Sequence, residues 1–179
     1  MGQAASQAAV GANDSLSMSP DARKRMRRRE VDVFAYYDDM GSGKGNCTWG
    51  PGILAHRGPC SKDELGKAVS QAEVDAEFSR RVAKAERIVR RNVATQALNQ
   101  AQFDALVSLT YNTGEQGASG TFDLVDSGDL KGAAANISKL IKTTVKGKKV
   151  VARGLISRRT EEAAPFREPA DAKAPAAKK

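Results

Sequence analysis

Apolar residues recur at helical spacing in three stretches of the chain. In the first, Val74, Phe78, Val82, Ala85 and Val89 fall three and four apart, the stripe of a helix resting on a core, with arginines and lysines between them as its wet face. A second helix starts near Leu98 and Asn99, carries Phe103, Leu106, Val107 and Thr110 on one side, and has Gly114 just past its end, where a C-cap would stand. A Gly-rich turn through Gly117 and Gly120 then leads by Phe122, Leu124 and Val125 to a third helix bearing Leu130, Ala133, Ile137, Leu140 and Ile141. A basic loop, Lys146-Gly147-Lys148-Lys149, precedes a last helix from about Val151 to Phe166. Capping-box spacing appears at Ser61 with Glu64 and again at Ser70 with Glu73, ahead of the first striped helix.

Upstream the pattern changes. Ser19-Pro20-Asp21 reads as a helix start, followed by a short, very basic helix with Arg23, Lys24, Arg25, Arg27, Arg28 and Arg29, over a thin apolar face of Ala22, Met26 and Val33. From Val31 to about Cys60, Val33, Phe34, Tyr36 and Tyr37 favour strands while glycines and prolines break any helix, so this stretch predicts a small β-rich hairpin or lobe. Residues 1–18 are Ala, Gln, Ser, Gly and Asn without an apolar period and read as a flexible leader; residues 168–179 read as a disordered Ala/Pro/Lys tail. One mainly α domain of residues 19–167 lies between them.

Composition narrows the function. No apolar run approaches the roughly 18 residues of a membrane span, and the start lacks a secretory signal's charged and apolar regions, so neither a transmembrane segment nor a signal peptide is expected. A formal charge of +8 predicts salt-dependent attraction to polyanions. A single histidine, His56, and two cysteines are too few for a structural zinc site, so no metal is expected. Cys47 and Cys60 flank a Gly- and Pro-rich loop that a disulfide could close in an oxidising compartment; two free thiols in a reducing one is the alternative. Gly41-Ser42-Gly43-Lys44-Gly45 fails the spacing of a phosphate loop, and His56 in its turn reads as a surface residue.

The carboxylates carry more. Glu30 closes the basic helix, where aromatic and apolar neighbours would desolvate it and favour the protonated form of a general acid. Asp39, on a polar Gly-flanked turn, would stay ionised and orient a water. Two carboxyl groups with divergent environments are what glycosidic-bond cleavage requires, although any pair among 21 acids could be two solvated side chains.

Their company decides. Glu30, Tyr37, Asp39 and Gly41, followed by Thr48-Trp49-Gly50-Pro51-Gly52, resemble the active-site signature of phage-type lysozymes, glycoside hydrolase family 24. The stretch from Leu98 to Gly114 is similar to that family's central helix, and Gly154 to Glu162 to its last. The resemblance implies a lysozyme-like, two-lobed α+β domain, mainly α, with a small β-hairpin or sheet near the N-terminus, a larger helical lobe and a cleft between them. It implies a muramidase that hydrolyses the β-1,4 bond between N-acetylmuramic acid and N-acetylglucosamine with inversion and without a cofactor. Glu30 would protonate the leaving oxygen, Asp39 would be the second carboxylate, and Thr48 would help hold the attacking water. Tyr37, Asn112 and Arg159 would lie along the substrate, with helix packing the competing role for Asn112 and Arg159.

Val31 stands where the family usually has Gly, and residues 43–46 lengthen the hairpin. The expected setting is a monomeric phage or prophage endolysin, made in the host cytoplasm and reaching the periplasmic wall through a lesion formed by another protein. Peptidoglycan is the expected partner and nucleic acid is not. Arg23 to Arg29 either keep the enzyme soluble and near the anionic wall or bind acidic outer-membrane lipid. A lytic transglycosylase of the same fold, or a non-catalytic cationic envelope binder, are the competing readings.

Overall fold

The computed structural model describes residues 11–30, 33–145 and 148–167. The expected leader as far as residue 10, the departure at Val31, half of the basic loop and the tail 168–179 lie outside the described residues. The described residues form five α-helices, a three-stranded antiparallel sheet and a two-stranded hairpin, the mainly helical α+β class that was expected. They divide into two compact units, Pro20–Ala83 and the combination of Met1–Ser19 with Lys84–Lys179.

The first unit opens with α1 (Pro20–Arg27), which has Asp21 in its first turn and Lys24, Arg25 and Arg27 in its last, each sign at the end that the helix dipole favours. Strands β1 (Tyr37–Asp38), β2 (Cys47–Trp49) and β3 (Ile53–His56) follow in spatial order β1-β2-β3. Helix α2 (Gln71–Asn92) begins here behind the predicted capping box: the Glu73 amide donates to Ser70 Oγ at 3.2 Å and the Ser70 amide to Glu73 Oε2 at 2.8 Å. The Ser61 box forms only its returning half, from the Ser61 amide to Glu64 Oε2 at 2.8 Å, and turns follow instead of a helix. The backbone there is claimed by another partner, since Tyr36 donates to Lys67, Gly66 to Tyr36 and Val69 to Phe34.

In the second unit, α3 (Gln100–Asp126) starts at an Asn99/Gln102 capping box. Gly114 breaks the helical geometry as predicted, at φ 71° and ψ 174°, but helix resumes at once. The Gly-rich turn expected through Gly117 and Gly120 is therefore helical. A glycine costs a helix only about 1 kcal/mol, and burying Ala118, Thr121, Phe122 and Val125 on one face outweighs that. Helix α4 (Leu130–Lys139) is capped by Asp129, which accepts from the Gly132 amide at 2.8 Å. Strands β4 (Lys142–Val145) and β5 (Lys148–Val151) pair in register where a helix end and a basic loop were expected. Thr143, Thr144, Val145, Val150 and Val151 are β-branched and lie beside Lys-Gly, a turn signal that the charge of the segment had masked. Helix α5 (Arg153–Ala163) and a short 3-10 turn (Ala164–Phe166) complete the chain, with α4 packed on both α3 and α5.

Residues 11–18 differ from a free leader. Asn13 is 1% exposed; its amide donates to the carbonyls of Val93 and Gln96 at 2.8 and 2.9 Å and its oxygen accepts from the Leu98 amide at 2.9 Å. Arg90 reaches the Leu16 carbonyl, and the Met18 amide donates to Glu86 at 2.8 Å. These anchors join residues about eighty apart, so no local pattern could announce them. Asn13→Ala strands two buried backbone groups and one part-buried one and is expected to lower unfolding free energy by about 2–4 kcal/mol in urea denaturation; an unchanged midpoint would show that the segment is not anchored there.

Candidate active site

The hairpin places three of the sequence-derived residues together. Tyr37 pairs with Thr48 across β1 and β2, and Asp38 with Cys47. The ladder continues one step past β1, where the Asp39 amide donates to the Asn46 carbonyl at 3.1 Å. Side chains alternate along a strand, so Tyr37, Asp39 and Thr48 belong to one face and Asp38 to the other. Burial, and next the Asp39 carboxylate, push the Tyr37 phenol above its ordinary pKa, against a backbone hydrogen bond at Gly52.

Asn46 organises this face, and sequence reasoning passed over it. Its amide donates to Asp39 Oδ1 at 2.8 Å, its side-chain nitrogen to Asp39 Oδ2 at 3.2 Å, and its carbonyl accepts from Thr48 Oγ1 at 3.2 Å. The signal available was the lengthened hairpin itself, since residues 43–46 supply Asn46 along with Gly45, at φ 80°, where any side chain would collide with Asp39 Oδ1. Gly50 and Gly52 of the Thr-x-Gly-x-Gly stretch also hold positive φ, 55° and 78°, which accounts for their place in the motif. On the opposite face Asp38 accepts from the Gly43 amide at 2.6 Å and from the Cys60 amide at 2.8 Å. Cys47 and Cys60 are joined in a disulfide with 4.5 Å between their Cα atoms, which selects one of the two alternatives left open.

Glu30 sits half-buried in the turn after α1, its amide donating to the Arg27 carbonyl at 3.2 Å. Three residues on, Val33 and Gly50 exchange backbone hydrogen bonds of 3.3 and 2.9 Å. An extended chain spans at most about 3.6 Å per residue, so Glu30 lies within about 11 Å of the residue that pairs with the Thr48 hairpin. With Lys24, Arg27, Arg28, Gln71 and Asp75 it lines an open cavity of about 570 Å³. Of the α1 cations, Arg23 bonds Ser79 and Arg27 pairs with Asp75, and both guanidiniums lie over the Phe78 ring.

Asn112 and Arg159 meet in the other unit. Arg159 is 1% exposed and spends Nη2 on Asn112 Oδ1, Nη1 on Glu162 and Nε on the Leu140 carbonyl at 2.9 Å. Glu162 also accepts from Arg158 at 3.0 Å and from Ser108 Oγ at 2.6 Å. Every nitrogen of Arg159 thus serves packing of α3, α4 and α5, whereas the Asn112 side chain reaches an exposed position. Cys47, His56 and Glu64 bring potential ligand atoms within 4.8 Å of one another, but the disulfide removes the thiolate a metal would need.

The phage lysozyme family model matches residues 32–162, more than half of the chain. The chain belongs to the phage lysozyme family. It is accordingly a muramidase, a glycoside hydrolase that degrades peptidoglycan, of the kind phages use to lyse their hosts. An endolysin of Acyrthosiphon pisum secondary endosymbiont phage 1 is 31% identical over 104 residues, 57% of this chain and 70% of the relative. The solved endolysin of Escherichia coli O157:H7 phage FAHEc1 is 27% identical with a TM-score of 0.68, covering 85% of this chain and 94% of that one. The muramidase domain of SpmX from Asticaccaulis excentricus shares the fold at 24% identity and a TM-score of 0.66, covering 86% of this chain and 99% of that one. Among the described residues no helix is long and apolar enough to cross a membrane.

Two expectations follow from the hairpin of this lysozyme. Reducing the Cys47–Cys60 bond releases a loop of 13 residues' separation and is expected to cost about 3 kcal/mol in urea denaturation with and without thiol; coincident curves would exclude that constraint. His56 hydrogen-bonds the Arg57 carbonyl and Glu64, which raise its pKa above 6.5, while bonds from Ser61 and then His56 lower Glu64 to about 2. The contribution of Glu64 is present above the ordinary carboxylate range and lost as pH falls through about 2. That of His56 is present below 6.5 and lost as pH rises through its raised value. An NMR titration checks both, and an imidazole titrating at or below 6.5 would contradict the pairing.

Proposed function

We propose that Glu30 is the general acid of this muramidase, Asp39 the carboxylate that receives a proton from the attacking water, and Thr48 the hydroxyl that holds that water. The single observation carrying the reading is the shared face of Tyr37, Asp39 and Thr48, organised by Asn46. Thr48 spends its hydroxyl proton on the Asn46 carbonyl, so its lone pairs remain to accept a hydrogen bond from water. Each Asp39 oxygen takes one donor from Asn46 and keeps further lone-pair capacity. Glu30 gives its proton to the glycosidic oxygen as the bond to the anomeric carbon breaks; water adds to that carbon from the opposite face and loses its proton to Asp39. The configuration inverts.

The enzyme acts on the cell wall, a setting its endolysin relatives support, and we propose that it does so as a monomer once a membrane lesion admits it. Its +8 charge supports accumulation at the anionic envelope. Transglycosylation, in which an internal hydroxyl replaces water, would leave Asp39 and Thr48 without a task.

Glu30→Gln, isosteric but unable to donate, is expected to lower kcat on purified peptidoglycan by about 10²- to 10⁴-fold with the fold intact by circular dichroism, and Asp39→Asn to do the same through the water. The first-formed product is expected to be a reducing α-anomer. An anhydro-muramyl end would establish the transglycosylase, and full activity of Glu30→Gln would remove Glu30 from the chemistry.

A further inference from the structure

The cavity beside Glu30 is built for negative charge. Lys24 and Arg27 lie on α1 and Arg28 directly follows it, its amide still donating to the Lys24 carbonyl at 3.1 Å, so the three stand at i, i+3 and i+4 on one face. Among the described residues lining it, the carboxyl groups are Glu30 and Asp75, and Asp75 already receives Arg27 Nη2 and Gln71 Nε2, both at 3.0 Å. Lys24 and Arg28 are exposed at its wall. A volume of about 570 Å³ falls in the range of sites that hold a small ligand.

We propose that Lys24 and Arg28 form a subsite for the carboxylates of the peptide stem carried by the muramic acid whose bond is cleaved. The proposal rests on Glu30 being the general acid. A cavity whose wall includes Glu30 lies near the reacting bond, so an anion attached to the glycan close to that bond can reach it. The stem of N-acetylmuramic acid hangs from C3 of the ring whose C1 reacts, two carbons away, and bears free carboxylates along its length. A guanidinium and an ammonium suit such carboxylates, the first by a planar fork and the second as a point charge. A lipid headgroup meets neither condition, since it is not attached to the glycan and would have to bring a membrane surface to the cavity wall.

The test compares two soluble substrates: glycan chains that carry uncross-linked peptide stems, and the same chains stripped of peptide by an amidase. Wild type is expected to show the lower KM on the stem-bearing chains, and added salt to narrow the difference. Lys24→Glu/Arg28→Glu is expected to raise KM on stem-bearing chains about fivefold to tenfold, and on bare chains less than twofold. Lys24→Gln/Arg28→Gln, which removes charge without reversing it, is expected to give a smaller rise of the same kind. Equal KM shifts on the two substrates overturn the subsite alone. Unchanged KM values together with lost binding to phosphatidylglycerol vesicles also overturn it and assign the face to lipid. Full activity of Glu30→Gln on bare chains would remove the acid and the subsite with it.

Discussion

A carboxylate just past the end of a short strand, entering a glycine-rich turn and open to water, holds still only if something binds it. Asn46 does so with both its main-chain and side-chain nitrogens, and with its carbonyl it takes the Thr48 proton, so one residue sets the orientation of two others. The rest of the hairpin secures Asn46 in turn. Its side-chain oxygen accepts from the Gly58 amide, Cys47 beside it donates to the Gly58 carbonyl at 2.7 Å, and the disulfide ties Cys47 to Cys60. Asp38 closes the other face by bonding the Cys60 amide, leaving a loop whose freedom is largely spent before any substrate arrives.

The second unit solves a different problem, the burial of charge. Arg158, Arg159 and Glu162 are each less than a tenth exposed, and an unpaired ion there would cost several kcal/mol. Glu162 faces both guanidiniums and the Ser108 hydroxyl, while the carbonyls of Ser108 and Leu140 and the Asn112 amide oxygen take further donors. The network is satisfied group by group and crosses α3, α4 and α5. It gives specificity to that packing, and it explains why residues that match motif positions turn inward. Only Asn112 among them presents its side chain to an exposed position.

The helices that were legible in advance were those whose signal is local: α2 and its Ser70 box, the start of α3 at Asn99, and the break at Gly114. The misread segments were those where a local signal met a stronger distant one. Gly117 and Gly120 are turn formers by propensity, yet the apolar face of α3 needs them in a helix. Lys146 to Lys149 read as a basic loop, while the pairing of Lys142–Val145 with Lys148–Val151, which propensity alone left undecided, made the segment a hairpin. Ser61 had a partner at Glu64 but lost its helix to backbone bonds with Tyr36.

By itself the sequence determined the class of fold and the order of the blocks, and it singled out Glu30 and Asp39 as candidates, because helical periodicity, capping and a short glycine-bearing motif are encoded within a few residues of one another. Tertiary structure alone decided that Asn46 clasps Asp39, that Asn13 anchors residues 11–18, that Arg159 is buried among packing partners, and that Glu30 shares a cavity wall with Lys24 and Arg28. Each of these rests on which distant groups fill a hydrogen-bond vacancy or share a cavity wall. Hydrogen bonds and charges act over a few ångströms of space, and separation along the chain carries no record of that distance.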